Sequence, residues 1–158
     1  MRWLSRAEEP IYALLRVVAG GLFAGHGAHK LFGAFGGTPA PLGPRMIVRS
    51  WIEVWSSQKT AIDLLYAAPG SVRPQLTLFG LWALVGGLLI ALGLFAGFAA
   101  LFASVEMAVN YFYFHAVGWP ILNHGELAAL YCFIFLYIAA RGSGRFGIDA
   151  WFRKAAAP

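Results

Sequence analysis

Four residues that can carry charge or transfer protons lie within one long apolar stretch. They are Arg16, His26, His29 and Lys30, in RVVAGGLFAGHGAHKLFGAFGG at residues 16–37. A helix facing lipid excludes such side chains, so their presence indicates a protein interior that receives them. At 100° per residue, Arg16, His26 and Lys30 fall within an arc of about 80° of a helix. Gly20 and Gly27 lie on the same side, and we expect this face to point inward.

A second polar face is predicted further along the chain, where Glu106, Asn110 and Tyr113 lie within about 60° of one another on a helix. A carboxylate near the middle of a membrane span must be paired, protonated or hydrated. Because desolvating an unpaired charge is costly, we predict that Arg16 pairs with Glu106, with Asn110 beside them. Two interpretations are open for this buried polar pair: a proton relay, or a structural ion pair that fixes helix register.

A ligand site is predicted at the far end of the first helix. Its candidate residues are His26, His29, Lys30, Tyr113 and His115. A histidine would hydrogen-bond a carbonyl group of the ligand while Glu106 moves a proton. We expect no bound haem or metal, because the sequence has one cysteine and no HExxH motif. The alternative is a metal site formed by the four histidines His26, His29, His115 and His124 at one membrane face.

Composition decides which elements position these residues. Of the 158 residues, 59% are hydrophobic and only 12% are charged, which is typical of membrane proteins. We predict an all-α fold, in which a single membrane domain forms a polytopic four-transmembrane-helix bundle. The spans cover about 11–32, 76–94, 99–117 and 124–141, with an amphipathic helix or helices at about 45–66 and an interfacial segment at 145–154.

Caps and charges complete this interpretation. Asn123 and Glu126 have the spacing of a capping box and would start the fourth span. Four spans place both termini on one side, and basic residues at both ends favour the cytoplasm. The net charge of +5 comes from scattered basic residues, so we expect contact with the lipid bilayer and none with nucleic acid.

With HGAHKLFGAFGG at residues 26–37, the sequence resembles the DoxX family of small four-helix membrane proteins. Further landmarks follow in the expected order: Arg16, GGLLIALGL at 86–94, Met107, NHGELAALY at 123–131 and GSGRFGID at 142–149. Two features depart from the family pattern. Trp82 and Ala83 stand where an acidic residue is common, and the connection at 38–75 is longer than usual.

The resemblance implies a prokaryotic inner-membrane subunit of a redox or respiratory complex. Its role would be mainly structural or accessory, with other membrane subunits as partners. It would contribute to a quinone site, and the candidate quinone region is the ligand site at His26, His29, Lys30, Tyr113 and His115. An alternative is a catalytic small subunit that oxidises a small reduced donor, such as a sulfur compound, and passes electrons to quinone through a partner's carrier. A third hypothesis is a small transporter or lipid-handling protein that uses the polar interior as a pathway.

Overall fold

A computed structural model of the chain describes residues 6–36, 74–114 and 125–155. Every regular element in these ranges is helical, in agreement with the predicted all-α class. The α-helices are α1 (Glu8–Phe32), α2 (Pro74–Leu92), α3 (Ala96–Phe114), α4 (Glu126–Arg141) and α5 (Ile148–Ala155). A short 3-10 turn, Ala34–Gly36, follows α1. The amphipathic segment predicted at 45–66 lies outside the described residues.

The described helices α1 to α4 occupy the predicted spans to within three residues at either end. Among them, only α1, with 25 residues, is long and apolar enough by length and composition to cross a membrane. The corresponding apolar stretches of α2 and α3 are shorter, Leu78–Leu92 and Ala96–Phe112, and α4 has 16 residues. Four membrane crossings therefore stay a prediction.

Local sequence explains where α1 begins and how α2 is joined to α3. Glu8 and Glu9 lie in the first turn of α1, where carboxylates complement the helix dipole, and Pro10 needs no hydrogen-bond acceptor there. Three residues separate α2 from α3. Two of them, Gly93 and Phe95, have positive φ angles of 73° and 48°. Because the turn is so short, the two helices are consecutive antiparallel neighbours, as the short predicted connection requires.

The chain divides into two compact units, and the first consists of Met1–Ala24 and Val85–Pro158. Its core contains the edge-to-face ring pair of Phe23 and Phe135, with centroids 4.9 Å apart. Helices α1 and α2 approach closely in this unit. A Cβ atom at Gly20 would lie 2.6 Å from the carbonyl oxygen of Gly87, and a Cβ atom at Gly87 would lie 2.5 Å from the amide nitrogen of Ala24. Small residues thus allow backbone to contact backbone.

The second unit, Gly25–Leu84, repeats this kind of packing with other residues. A Cβ atom at Gly27 would collide with the amide nitrogen of Leu84 and would lie 2.6 Å from the carbonyl oxygen of Gly80. Leu31 is 2% exposed and packs beside Gly80. Gly80 and Gly87 of α2 therefore each allow close packing against α1.

Large apolar side chains cover the outside of the described helices. Examples are Leu14, Leu22, Phe98, Phe102, Leu130 and Phe133, each of which is between 56% and 73% exposed. The ionisable residues Arg16 and Glu106 are by contrast buried, at 2% and 8% exposed. Apolar outside and ionisable inside is the reverse of a water-soluble protein and suits a lipid environment.

Candidate functional site

Arg16 is the most deeply buried charged residue that the structure describes. Its guanidinium lies against Gly93 in the α2–α3 turn, so closely that a Cβ atom there would collide with Nη1. Nη2 donates a long hydrogen bond of 3.4 Å to the carbonyl oxygen of Phe146. Within the described part of the chain, Nε and Nη1 have no hydrogen-bond acceptor. A glycine turn and main-chain atoms therefore surround this cation.

The segment that follows α4 encloses Arg16 from the other side. The Tyr12 hydroxyl donates to the carbonyl oxygen of Gly142. The amide of Asp149 donates to the carbonyl oxygen of Gly93 at 3.0 Å, and the Asp149 carboxylate accepts from the amide of Phe95 at 3.0 Å. Residues 142–149, the GSGRFGID landmark, thus fasten α5 to the α2–α3 turn.

A second polar cluster, centred on Arg141, joins the end of α4 to the start of α1. Nη1 of Arg141 lies 2.9 Å from a carboxylate oxygen of Glu8, and Nη2 lies 2.8 Å from one of Glu9. The guanidinium also donates to the hydroxyl of Tyr137 at 2.9 Å and stacks over the ring of Tyr12, 4.3 Å from its centroid. Sequence reasoning missed this cluster, although adjacent carboxylates at one end of the chain and an arginine at the end of a helix were visible signals.

Replacing Arg141 by Lys is expected to loosen the first turn of α1. Lysine keeps the charge, but its single ammonium group cannot bridge two carboxylates and the tyrosine hydroxyl as the planar guanidinium does. Hydrogen exchange of the amides near Glu9 should become faster, and the Tm in detergent should fall by a few degrees. Arg145→Gln is the control, because the contact of Arg145 with Glu9 is made by its main-chain amide at 3.1 Å. Equal effects of the two changes would contradict the assignment.

The structure does not bring Arg16 and Glu106 together. Arg16 lies at the α2–α3 turn, which precedes α3, whereas Glu106 follows the first residue of α3 by ten positions, about 15 Å along the helix axis. No ion pair joins them among the described residues. Glu106 is buried, as are Ala103 and Met107 of the same helix, and Asn110 is half-buried one turn further on. Glu106 and Asn110 share one face of α3, and a polar interior at this face stays a prediction.

The described part of the predicted quinone region is the end of α1. His26 and His29 are exposed there and Lys30 is half-buried, so the inward arc predicted for α1 holds Arg16 but excludes His26. His29 Nδ1 lies 2.8 Å from the carbonyl oxygen of Ala34, to which a protonated Nδ1 donates. The side chain of Tyr113, and all of His115 and His124, lie outside the described residues. Among the residues that are described, no three metal-ligating side chains cluster.

The structure describes the start of α4 from Gly125 onwards. The described helix begins at Glu126, and its N-cap is Gly125, which has no side chain with which to cap the first turn. Glu126 is exposed, and Asn123 lies outside the described residues. The fourth span was predicted to start at residue 124, two residues before the described helix begins, and capping by Asn123 stays a prediction.

The described residues combine helices, buried ionisable groups, apolar outer faces and close contacts between small residues, which is typical of helical membrane proteins. Comparison with known proteins then gives the family: a family model described as DoxX matches residues 11–116, and this chain belongs to the DoxX family. A Haemophilus influenzae protein described as uncharacterized is 44% identical over 86 residues. That alignment covers 51% of this chain and 64% of the relative, so the chain spans less than two thirds of its length. No solved structure matches the chain.

Proposed function

We propose that this protein is an accessory subunit of a redox complex in a prokaryotic cell membrane, and that the Glu106 carboxyl transfers a proton to or from a quinone. The burial of Glu106 carries the proposal, because this residue is 8% exposed and is the one charged residue of helix α3. Ionisable residues inside membrane helices are costly and mark proton and substrate pathways. Membership of the DoxX family supports the membrane setting.

Quinone reduction requires a group that can supply protons inside the membrane, and a buried carboxyl can do so. Reduction of a quinone to a quinol takes up two electrons and two protons, and the reacting ring stays in or near the apolar layer. A carboxyl that exchanges its proton with water can deliver it to a quinone oxygen. The electrons would come from a cofactor of a partner subunit.

An accessory role is supported by the outer faces of α3 and α4. Phe98 and Phe133 are 73% and 70% exposed, and such faces fit the apolar helices of other membrane subunits. In the first unit, the start of α1 contacts the end of α4 and the segment after it, and α5 contacts the α2–α3 turn. We place this end, with both termini, at the cytoplasmic surface because basic residues lie there.

Glu106→Gln tests the proposal in the complex isolated from membranes with a mild detergent. The amide matches the carboxyl in shape but cannot release a proton, so quinone reduction should fall by about 10²-fold. The complex should still assemble, and its subunits and extractable quinone should be unchanged. The pH dependence of the residual rate should flatten, an effect that loss of packing alone does not produce.

Val105→Ala is the matched control. Val105 directly precedes Glu106 and is 54% exposed, and alanine is compatible with a helix. It should leave the rate and the pH profile as they are. A protein that purifies without other polypeptides and without quinone would contradict the redox-complex assignment. An unchanged rate in Glu106→Gln would instead leave the assembly role standing and remove Glu106 from proton transfer.

A further inference from the structure

The short helix α5 has two distinct faces, and one of them is fixed to the rest of the first unit. Ala150 is 7% exposed, and the amide and carboxylate of Asp149 both bond main-chain atoms of the α2–α3 turn. Since Asp149 is used in this way, the acidic group of α5 is directed towards Phe95. The orientation of α5 is therefore set by the fold.

The opposite face of α5 presents aromatic rings. Trp151 and Phe152 are 66% and 54% exposed, and their rings meet edge to face with centroids 5.1 Å apart. Phe146, in the turn that precedes α5, is 62% exposed. Three large rings on one short surface would be unfavourable in water, whereas tryptophan and phenylalanine rings are well placed at the boundary between hydrocarbon and head groups.

Basic residues flank these rings. Arg145, Arg153 and Lys154 are all exposed. Arg153 donates to the Ser143 hydroxyl at 3.1 Å through Nη2, which holds its guanidinium near the segment that precedes α5. The surface thus carries three positive charges. The nearby Asp149 carboxylate accepts a hydrogen bond from the main-chain amide of Phe95. Its charge is complementary to that of phosphate esters.

The position of α5 in the chain decides which phosphate esters it meets. The apolar helix α4 ends at Arg141, and α5 begins seven residues later at Ile148. The surface therefore lies where α4 leaves the apolar layer, at the depth of the lipid head groups. We propose that α5, with Arg145 and Phe146, is a membrane-surface helix that binds the head groups of anionic phospholipids in the leaflet where α4 ends. Trp151 and Phe152 enter the acyl boundary, and the basic residues contact the phosphates.

The full-length protein in lipid nanodiscs provides the test. The wild-type Tm should be about 5 °C higher in nanodiscs of phosphatidylcholine mixed with phosphatidylglycerol than in phosphatidylcholine alone, since ligands of the folded state raise Tm. Arg145→Gln/Arg153→Gln/Lys154→Gln should lose most of this difference. Arg145→Gln/Lys154→Gln, which keeps the bond from Arg153 to Ser143, should lose about two thirds of it if the charges act equally.

Two controls identify the source of the effect. Arg45→Gln/Arg49→Gln/Lys59→Gln removes the same charge from a part of the chain outside the described residues, and it should keep the lipid-dependent difference. An equal loss in this variant would overturn the assignment of the effect to α5, because net charge or the predicted amphipathic segment at 45–66 would then account for it. Inorganic phosphate added to phosphatidylcholine nanodiscs should not raise the wild-type Tm, and a rise equal to that with phosphatidylglycerol would overturn the lipid assignment. A wild-type Tm that is the same in both lipids would also overturn it.

Discussion

Gly20→Ala should be among the most destabilising single-methyl changes in this protein. The added Cβ would lie 2.6 Å from both the amide nitrogen of Ala91 and the carbonyl oxygen of Gly87. These are main-chain atoms of α2, so no side-chain rotation can relieve the overlap. Helices α1 and α2 would have to move apart, and we expect a loss of about 3 kcal/mol, at the upper end of overpacking costs.

Gly21→Ala is the control for this change. It is the next residue of the same helix, and a Cβ atom there would meet nothing within 4 Å. The two variants have the same helix propensity gain of about 1 kcal/mol. Thermal unfolding in detergent should therefore show Gly20→Ala well below the wild type and Gly21→Ala equal to it or slightly above. Equal Tm values for the two variants would show that α1 and α2 are not in main-chain contact at Gly20.

The glycine pattern made this contact predictable in part. Arg16, Gly20 and Gly27 were expected on one inward face, and all three are buried, as the helical period requires. His26 was assigned to the same face but is exposed. It lies about 80° from Arg16, at the edge of the arc, and so beyond the narrow strip that α2 covers. Periodicity identifies the centre of a buried face better than its width.

The surroundings of Arg16 could not be predicted in the same way. Opposite charges attract over distance, so sequence reasoning matched Arg16 with Glu106, the carboxylate nearest the middle of a span. In the structure, the guanidinium lies between the Gly93 turn and the Phe146 carbonyl, which follow Arg16 by 77 and 130 positions in the chain. A main-chain carbonyl is present in every residue, so residue types do not indicate which one a side chain will contact. Which turn lies against which helix depends in addition on how the helices are aligned along their axes. The sequence shows both Gly93 and Arg16, but it does not show that the guanidinium of Arg16 lies against Gly93.

The close contact of Arg16 with Gly93 predicts a strong effect of Gly93→Ala. Gly93 has a φ of 73°, which strains any residue with a Cβ, and the new methyl would also collide with Nη1 of Arg16 and approach Cα of Gly147 to 2.6 Å. Strain in this region costs about 1 kcal/mol and the collision about 3 kcal/mol, so we expect a total near 4 kcal/mol. Unfolding monitored in detergent gives the size of the loss.

Gly142→Ala separates backbone strain from the collision with Arg16. Gly142 has a φ of 76° and a ψ of −152°, a conformation that nearly requires glycine, while a Cβ atom there meets nothing within 4 Å. The loss of stability in Gly142→Ala therefore measures backbone strain without a steric clash.

A double-mutant cycle tests the contact between Arg16 and Gly93. Arg16→Ala should remove part of the destabilisation caused by Gly93→Ala, with a coupling energy of about 2 kcal/mol, because the guanidinium that the new methyl group would meet is absent. The same cycle with Gly142→Ala should be additive. If the effects of Arg16→Ala and Gly93→Ala were additive, Arg16 would not contact this turn. The requirement for glycine at position 93 would then come from the backbone conformation alone.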